Sequence, residues 1–317
     1  MKHTLTIAAA LLALTGGAVA QEFPTKPVTL VIPYAPGGST DPLGRFLAAE
    51  LQELWGQTVV VENRPGAGGT IGAAHVSQTA PDGYTIMFTT SSYTTAPAVN
   101  KDLPYDPVND LTAVAMPGFS PYLMVAGANV KSDTLTDFLA EAKEREMFLA
   151  TAGLGSSTHF AGELFSVASG IPMTPVHYGG GGEAMLDLMG GRSDIYVGSM
   201  TAVINNVRNG TVKPIALFGE ERVASLPEVE ATHEHGLTGG EAGLWFGVFT
   251  SPGVPKEIVD KLNTDILAVM ASEKGAAFLA ELETQPTTLS ADEFAEVVRN
   301  EVAQWTALAE ERGIVAE

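Results

Sequence analysis

Four stretches of small residues interrupt the apolar pattern of this 317-residue chain. They are Pro36-Gly37-Gly38-Ser39-Thr40-Asp41, Arg64-Pro65-Gly66-Ala67-Gly68-Gly69-Thr70, Gly153-Leu154-Gly155-Ser156-Ser157-Thr158-His159 and Tyr178-Gly179-Gly180-Gly181-Gly182-Glu183. Glycine admits positive φ and leaves neighbouring N–H groups open to a ligand. A helix N-terminus behind such a loop adds partial positive charge, so carboxylate or phosphate can be held without a basic side chain. One such loop reads equally as a tight turn and cap; two facing each other across a cleft would make a site. In the first loop Asp41 stands at the N-cap and Pro42 at the first helical position. The N–H groups of Gly38, Ser39 and Thr40 and the two hydroxyls then remain for a ligand.

Other chemistry finds little support. There is no G-x-x-x-x-G-K-[ST], and Gly66-x-Gly68-x-x-x-Gly72 is not the dinucleotide fingerprint, so no nucleotide or other cofactor is expected. No G-x-S-x-G occurs. Ser156 and His159 lie three apart near a helix start, which leaves a secreted serine hydrolase as an alternative, although no third orienting group or oxyanion hole is identifiable. His233-x-His235 is the only close histidine pair; without cysteine or H-E-x-x-H it reads as a solvated loop, and no metal is expected. His75 and His177 have no visible partner, and Met185 and Met189 read as helix-face core.

The formal net charge is −20. That excess argues against nucleic acid and acidic membrane surfaces as partners. It also repels an anion at long range, so an anionic ligand must be held by local dipoles. Residues 1–20, MKHTLTIAAALLALTGGAVA, carry a short polar start, an apolar stretch of about ten residues and a small-x-small end at Ala18-Val19-Ala20, the pattern of a secretory signal peptide. The apolar stretch is too short to span a bilayer. Gln21 is the expected mature start. There are zero cysteines, so no disulfide framework and no lipidated N-terminus is expected, which suggests a soluble monomer in a Gram-negative periplasm.

The elements that must position these loops alternate in the manner of an α/β fold. Val28–Ile32, Val59–Val61, Ile86–Thr90, Val114–Met116, Leu123–Ala126, Ile195–Val197 and Ile215–Phe218 read as strands. Leu43, Phe46, Leu47, Leu51 and Leu54 share one helical face, and further helices are expected over Ile71–Thr79, Leu135–Glu144, His159–Ala168, Ala184–Met189, Lys256–Met270 and Ala291–Glu311. No repeat or flexible linker appears. If two domains exist, the chain crosses between them on ordered strands, with "PGFSPYLMVA" (117–126) and "LWFGVFTSPG" (244–253) as candidates. Two crossings make the first lobe discontinuous, residues 21–121 and 248–317, around a second lobe of residues 122–247.

Seven segments in order resemble one family. They are "FPTKPVTLVIPYAPGGSTD", "VVVENRPGAGGTIGA", "APDGYTIMFTTSS", "LPYDPVNDLTAVA", "GLGSSTHFAGELF", "HYGGGGEAMLDLMGGRSDIYVGS" and "LWFGVFTSPGVPKEIVDKLN". The chain is similar to the substrate-binding proteins of tripartite tricarboxylate transporters, the TctC or Bug-receptor family. The resemblance implies a two-lobed periplasmic binding-protein fold with two interlobe strand crossings. It implies a receptor for a small carboxylate that delivers its ligand to integral membrane transporter subunits; a ligand sensor for a signalling partner remains an alternative. Di- and tricarboxylates, amino acids and aromatic acids all remain open as ligands. By position, the ligand residues are Gly37, Gly38, Ser39, Thr40 and Asp41 from one lobe and Gly155, Ser156 and Ser157 from the other. Tyr34 stands where the family often has an aromatic lining the pocket, Tyr178 is also expected at the ligand, and Ser91, Ser92, Ser199 and Met200 fall at strand ends facing the rest of the ligand. His159 reads as structural. Two departures stand out: Gly179 replaces a lysine common in Y-K-G-G, and "TTSSYTTAPAVN" replaces T-S-G-T-H-A-I-N-P, bringing in Tyr93 as a residue that could shorten the pocket or stack on an aromatic acid.

Overall fold

A computed structural model describes residues 23–36, 40–237 and 242–314. The expected signal peptide, the Gln21 start, and Gly37, Gly38 and Ser39 lie outside the described residues. The first part of the chain runs β1 (Val28–Ile32), α1 (Thr40–Trp55), β2 (Val59–Asn63), α2 (Thr70–Ser77), β3 (Thr85–Thr90), α3 (Ser92–Val99) and β4 (Thr112–Ala126). The middle runs α4 (Leu135–Glu141), β5 (Met147–Thr151), α5 (Ser157–Ser169), β6 (Met173–His177), α6 (Gly181–Met189), β7 (Ile195–Ser199), α7 (Met200–Arg208) and β8 (Lys213–Leu217). The last part is β9 (Gly243–Thr250), α8 (Lys256–Ala271), α9 (Glu273–Glu281) and α10 (Ala291–Arg312).

The strands order as β2-β1-β3-β9-β4-β7-β5-β6, with β8 also on β4. Around β1 the pairing is parallel, and Val28, Leu30, Val31 and Ile32 are fully buried because helices cover both faces. Leu43, Leu47 and Leu51 of α1 seal one face with Leu262 and Ile266 of α8; Val76, Met87, Tyr93 and Phe294 fill the other. The second half repeats this plan around β5 and β7, with Phe138, Phe160 and Phe165 on one side and Met185, Leu188, Val203 and Ile204 on the other. This is an α/β architecture of two lobes in one curled sheet.

Two strands carry the chain between the lobes. β4 pairs antiparallel with β9 as far as Pro121↔Gly243, then from Tyr122 onward with β7, and with β8 from Leu123. The sequence splits this segment into two strands because Pro117-Gly118 and Pro121 read as a break. The structure runs a single strand through and absorbs the irregularity as register shifts between Ala113 and Gly118. β5 and β6 were not legible as strands, being five residues each with Pro175 inside β6, which lies at the sheet edge where a missing donor is tolerated.

A third link between the two cores runs along α10. Phe294 and Val298 of α10 pack in the first lobe with Trp245 and Phe249, whereas Trp305, Leu308 and Ala309 enter the second lobe's core beside Phe160. Between them Glu301 accepts Trp245 Nε1 at 3.0 Å and Thr94 Oγ1 at 2.6 Å. Burial raises its pKa, and those same bonds limit the rise.

Candidate functional site

On the first lobe, Pro33 and Tyr34 follow β1 and α1 begins at Thr40, one residue ahead of the cap expected at Asp41. Asp41 lies inside the first turn. Its carboxylate takes Arg45 Nε at 2.8 Å and Asn63 Nδ2 at 2.9 Å, and the same Asn63 nitrogen reaches the Tyr34 carbonyl at 3.0 Å. Asp41 is thus a brace between α1 and the end of β2, which anchors the chain on either side of the first loop. The start of α2 packs closely on the residues after β1: a Cβ on Gly72 would lie 2.6 Å from Pro33 Cβ.

The Tyr34 hydroxyl centres a polar cluster at the end of β3. It lies 3.0 Å from Thr89 Oγ1, 3.1 Å from Thr90 Oγ1 and 2.7 Å from Ser92 Oγ, and Thr90 and Ser92 are 2.8 Å apart. Each hydroxyl has one proton and two lone pairs, so the cluster can turn toward donor or acceptor groups of a ligand. Ser91, the N-cap of α3, is 4% exposed. Facing it is Tyr122, the first residue of β4 past the crossing. Burial raises the Tyr122 pKa, and the nearby Ser157 and Ser91 hydroxyls, one from each lobe, offset part of that rise. The sequence reading missed Tyr122, Thr89 and Thr90; a tyrosine in an otherwise apolar strand was the one available signal.

On the second lobe the loop between β5 and α5 is held by its own residues. Ser156 is the N-cap of α5: its Oγ accepts His159 N at 3.3 Å, donates to the Gly153 carbonyl at 2.7 Å and meets Thr158 Oγ1 at 3.0 Å. Thr158 Oγ1 accepts Ala152 N at 2.8 Å. The Gly155 N–H donates to His159 Nδ1 at 3.1 Å, so this expected ligand donor is spent inside the protein. Gly155 is required for a different reason. Its φ is +70°, and a Cβ would lie 2.4 Å from Val99 Cγ1 at the end of α3. The N–H groups of Ser157 and Thr158, in the first turn of α5, have no partner among the described residues. They stand at the positive end of the α5 dipole.

Several expected residues fall elsewhere. Met200 is 1% exposed and belongs to the second lobe's core. The Tyr178 hydroxyl lies along α6 against Asp187 and Ser193 rather than with Ser156 and Ser157; burial, then Asp187, raises its pKa. Gly179, in place of the common lysine, donates its N–H to Glu183 Oε2 at 2.9 Å and closes the start of α6. Tyr93 is buried in the first lobe's core: it stacks on Tyr105, packs on Phe249 and donates its hydroxyl to the Pro107 carbonyl at 2.6 Å. Ser199 caps α7 without a side-chain bond and is paired with Tyr122, so it stays beside the crossing.

The Ser156–His159 pair is not a nucleophile and its base. The Ser156 proton points to Gly153, and His159 Nδ1 is taken by Gly155. Among the described residues no group of three or more His, Asp or Glu could hold a metal, and no helix is long and apolar enough to cross a membrane.

Two lobes joined by antiparallel strands, with helix N-termini converging at the crossing, define a periplasmic binding protein. Residues 43–314 match the tripartite tricarboxylate transporter family receptor, and the chain belongs to that family, whose members are solute-binding receptors of the periplasm and not enzymes. BugT of Bordetella pertussis is 33% identical over 298 residues, 93% of this chain and 91% of that protein. Among solved structures, R. palustris Rpa4515 with adipate is 32% identical at a TM-score of 0.77, covering 93% of this chain and 100% of that one. MatC of Rhodopseudomonas palustris with bound malate is 30% identical at a TM-score of 0.73, covering 90% of this chain and 99% of that one.

Proposed function

We propose that this protein captures a small organic carboxylate between its lobes in the periplasm and delivers it to a tripartite tricarboxylate-type membrane transporter. The observation that carries this reading is the pair of unspent N–H groups at Ser157 and Thr158 on the second lobe, next to Tyr122, with the Tyr34 hydroxyl cluster on the first. Fixed N–H donors at a helix start suit a carboxylate, and no basic side chain is needed. The family resemblance adds Gly37, Gly38, Ser39 and Thr40 as the expected first-lobe donors. The lobes are residues 21–121 with most of 248–317, and residues 122–247 joined by the end of α10.

Closure is the working step. A ligand that bridges both loops binds the closed form more tightly and shifts the population toward it, and a transporter reads that shape. The adipate and malate of the two structural neighbours support a short di-acid; amino acids and aromatic acids belong in the same screen. The test is thermal melting of the refolded, ligand-free protein against such acids. A ligand at 100 times its Kd adds about 2.7 kcal/mol, a rise of several degrees. A shift with one group of acids and no product formed supports the reading; flat melting across the panel overturns the carboxylate assignment.

A further inference from the structure

Beneath the second lobe's loop lies a cluster that the ligand contacts do not use. His159 is 2% exposed. A backbone N–H can only donate, so Gly155 N at 3.1 Å from Nδ1 places the ring proton on Nε2. Nε2 faces Glu163 Oε1 at 3.8 Å, too far for a hydrogen bond but close enough to orient the ring. The other Glu163 oxygen takes Arg312 Nε at 2.5 Å, and Arg312 Nη2 reaches Ser166 Oγ at 2.9 Å. His177 of β6 stands edge-on to His159 with centroids 4.6 Å apart, its Nδ1 bonded to Thr151 Oγ1 at 2.8 Å. Glu311 completes the charged lining of this cavity, whose volume is about 440 Å³.

We propose that His159 is the positioning residue of the binding loop: its Nδ1 holds the Gly155 peptide and thereby aims the free N–H groups of Ser157 and Thr158, while Glu163 and Arg312 hold the ring from α5 and α10. The role in binding rests on the receptor reading above; the bond to Gly155 does not. Burial and then His177 lower the His159 pKa to about 4, so the acceptor persists at ordinary pH. Protonation of Nδ1 would set two donors against each other, and the loop would turn away.

The test uses His159→Asn, whose Oδ1 can replace Nδ1 as acceptor, and His159→Phe, which fills the space without one. Amide exchange at Gly155 is followed by NMR, and affinity for adipate and malate by calorimetry across pH. His159→Phe should speed Gly155 exchange and weaken binding by about tenfold, the range expected when a buried donor loses its partner; His159→Asn should stay within about threefold of the parent. The parent should also lose affinity approaching pH 4 by a step that His159→Asn lacks. Unchanged Gly155 exchange in His159→Phe, or equal damage in both variants, overturns the proposal. Should His159→Phe not fold, an identical acid step in the parent and His159→Asn does so. If the parent binds neither acid, nor any acid in the thermal screen, the receptor reading falls while Gly155 exchange still decides the positioning role.

Discussion

The two segments proposed to meet the ligand are held in opposite ways. On the first lobe Tyr34 and Asp41 are braced by other elements, Asn63 and Arg45 acting on Asp41 and Asn63 on the Tyr34 carbonyl, and a cluster of rotatable hydroxyls surrounds Tyr34. The second lobe's loop is held by its own members: Ser156 caps it, Thr158 ties Ala152, and His159 takes Gly155. Fixed N–H groups recognise a carboxylate whatever it is attached to, whereas hydroxyls that turn can follow the rest of the ligand. On the proposed reading, affinity for the shared group would rest on the second lobe and selection among acids on the first.

The strongest way to break this division is Gly155→Ala. The added Cβ meets Val99 in a backbone conformation that favours glycine, so the variant should lose about 2–5 kcal/mol in urea unfolding and lose ligand affinity for every acid alike. Acid should act on the second loop next. Because the folded protein keeps His159 neutral down to about pH 4, the unfolded chain binds a proton that the folded one refuses between the ordinary histidine value, near 6.5, and that point. Stability should be complete above this window, fall as pH drops through it and level off below, measured by urea midpoints against a His159→Asn control. Ser156→Ala removes the α5 cap and should cost about 1 kcal/mol in the same assay, with affinity falling for all acids. Tyr34→Phe should alter melting least, by less than about 1 kcal/mol, yet change the ranking of acids in the thermal screen. Equal weakening of every acid by Tyr34→Phe would erase the contrast between the loops.

The sequence exposed one kind of information and hid another. Val28–Ile32 was legible to the residue because a strand buried on both faces must be apolar throughout. α3 was not: Ser92–Val99 has no apolar stripe and contains Pro97, and its placement depends on Thr94 reaching Glu301 more than two hundred residues away. The glycine loops announced themselves by composition. That the Gly155 N–H is spent on His159 was hidden, since the bond depends on a ring orientation set by Glu163 and, through it, Arg312. Met200 and Ser199 look alike at the end of a strand, and only packing sends one to the core and the other to the crossing.

The crossing of α10 has a consequence for the order of assembly. The first core waits for Phe246, Val248, Leu262 and Ile266, and the second waits for Trp305, Leu308 and Ile314 at the far end of the chain. A ribosome delivers these residues after the strands they cover. The second core, begun at Tyr122, therefore stays open until α10 has been made, by which time the first core already has its members, so the lobe that starts second also closes second.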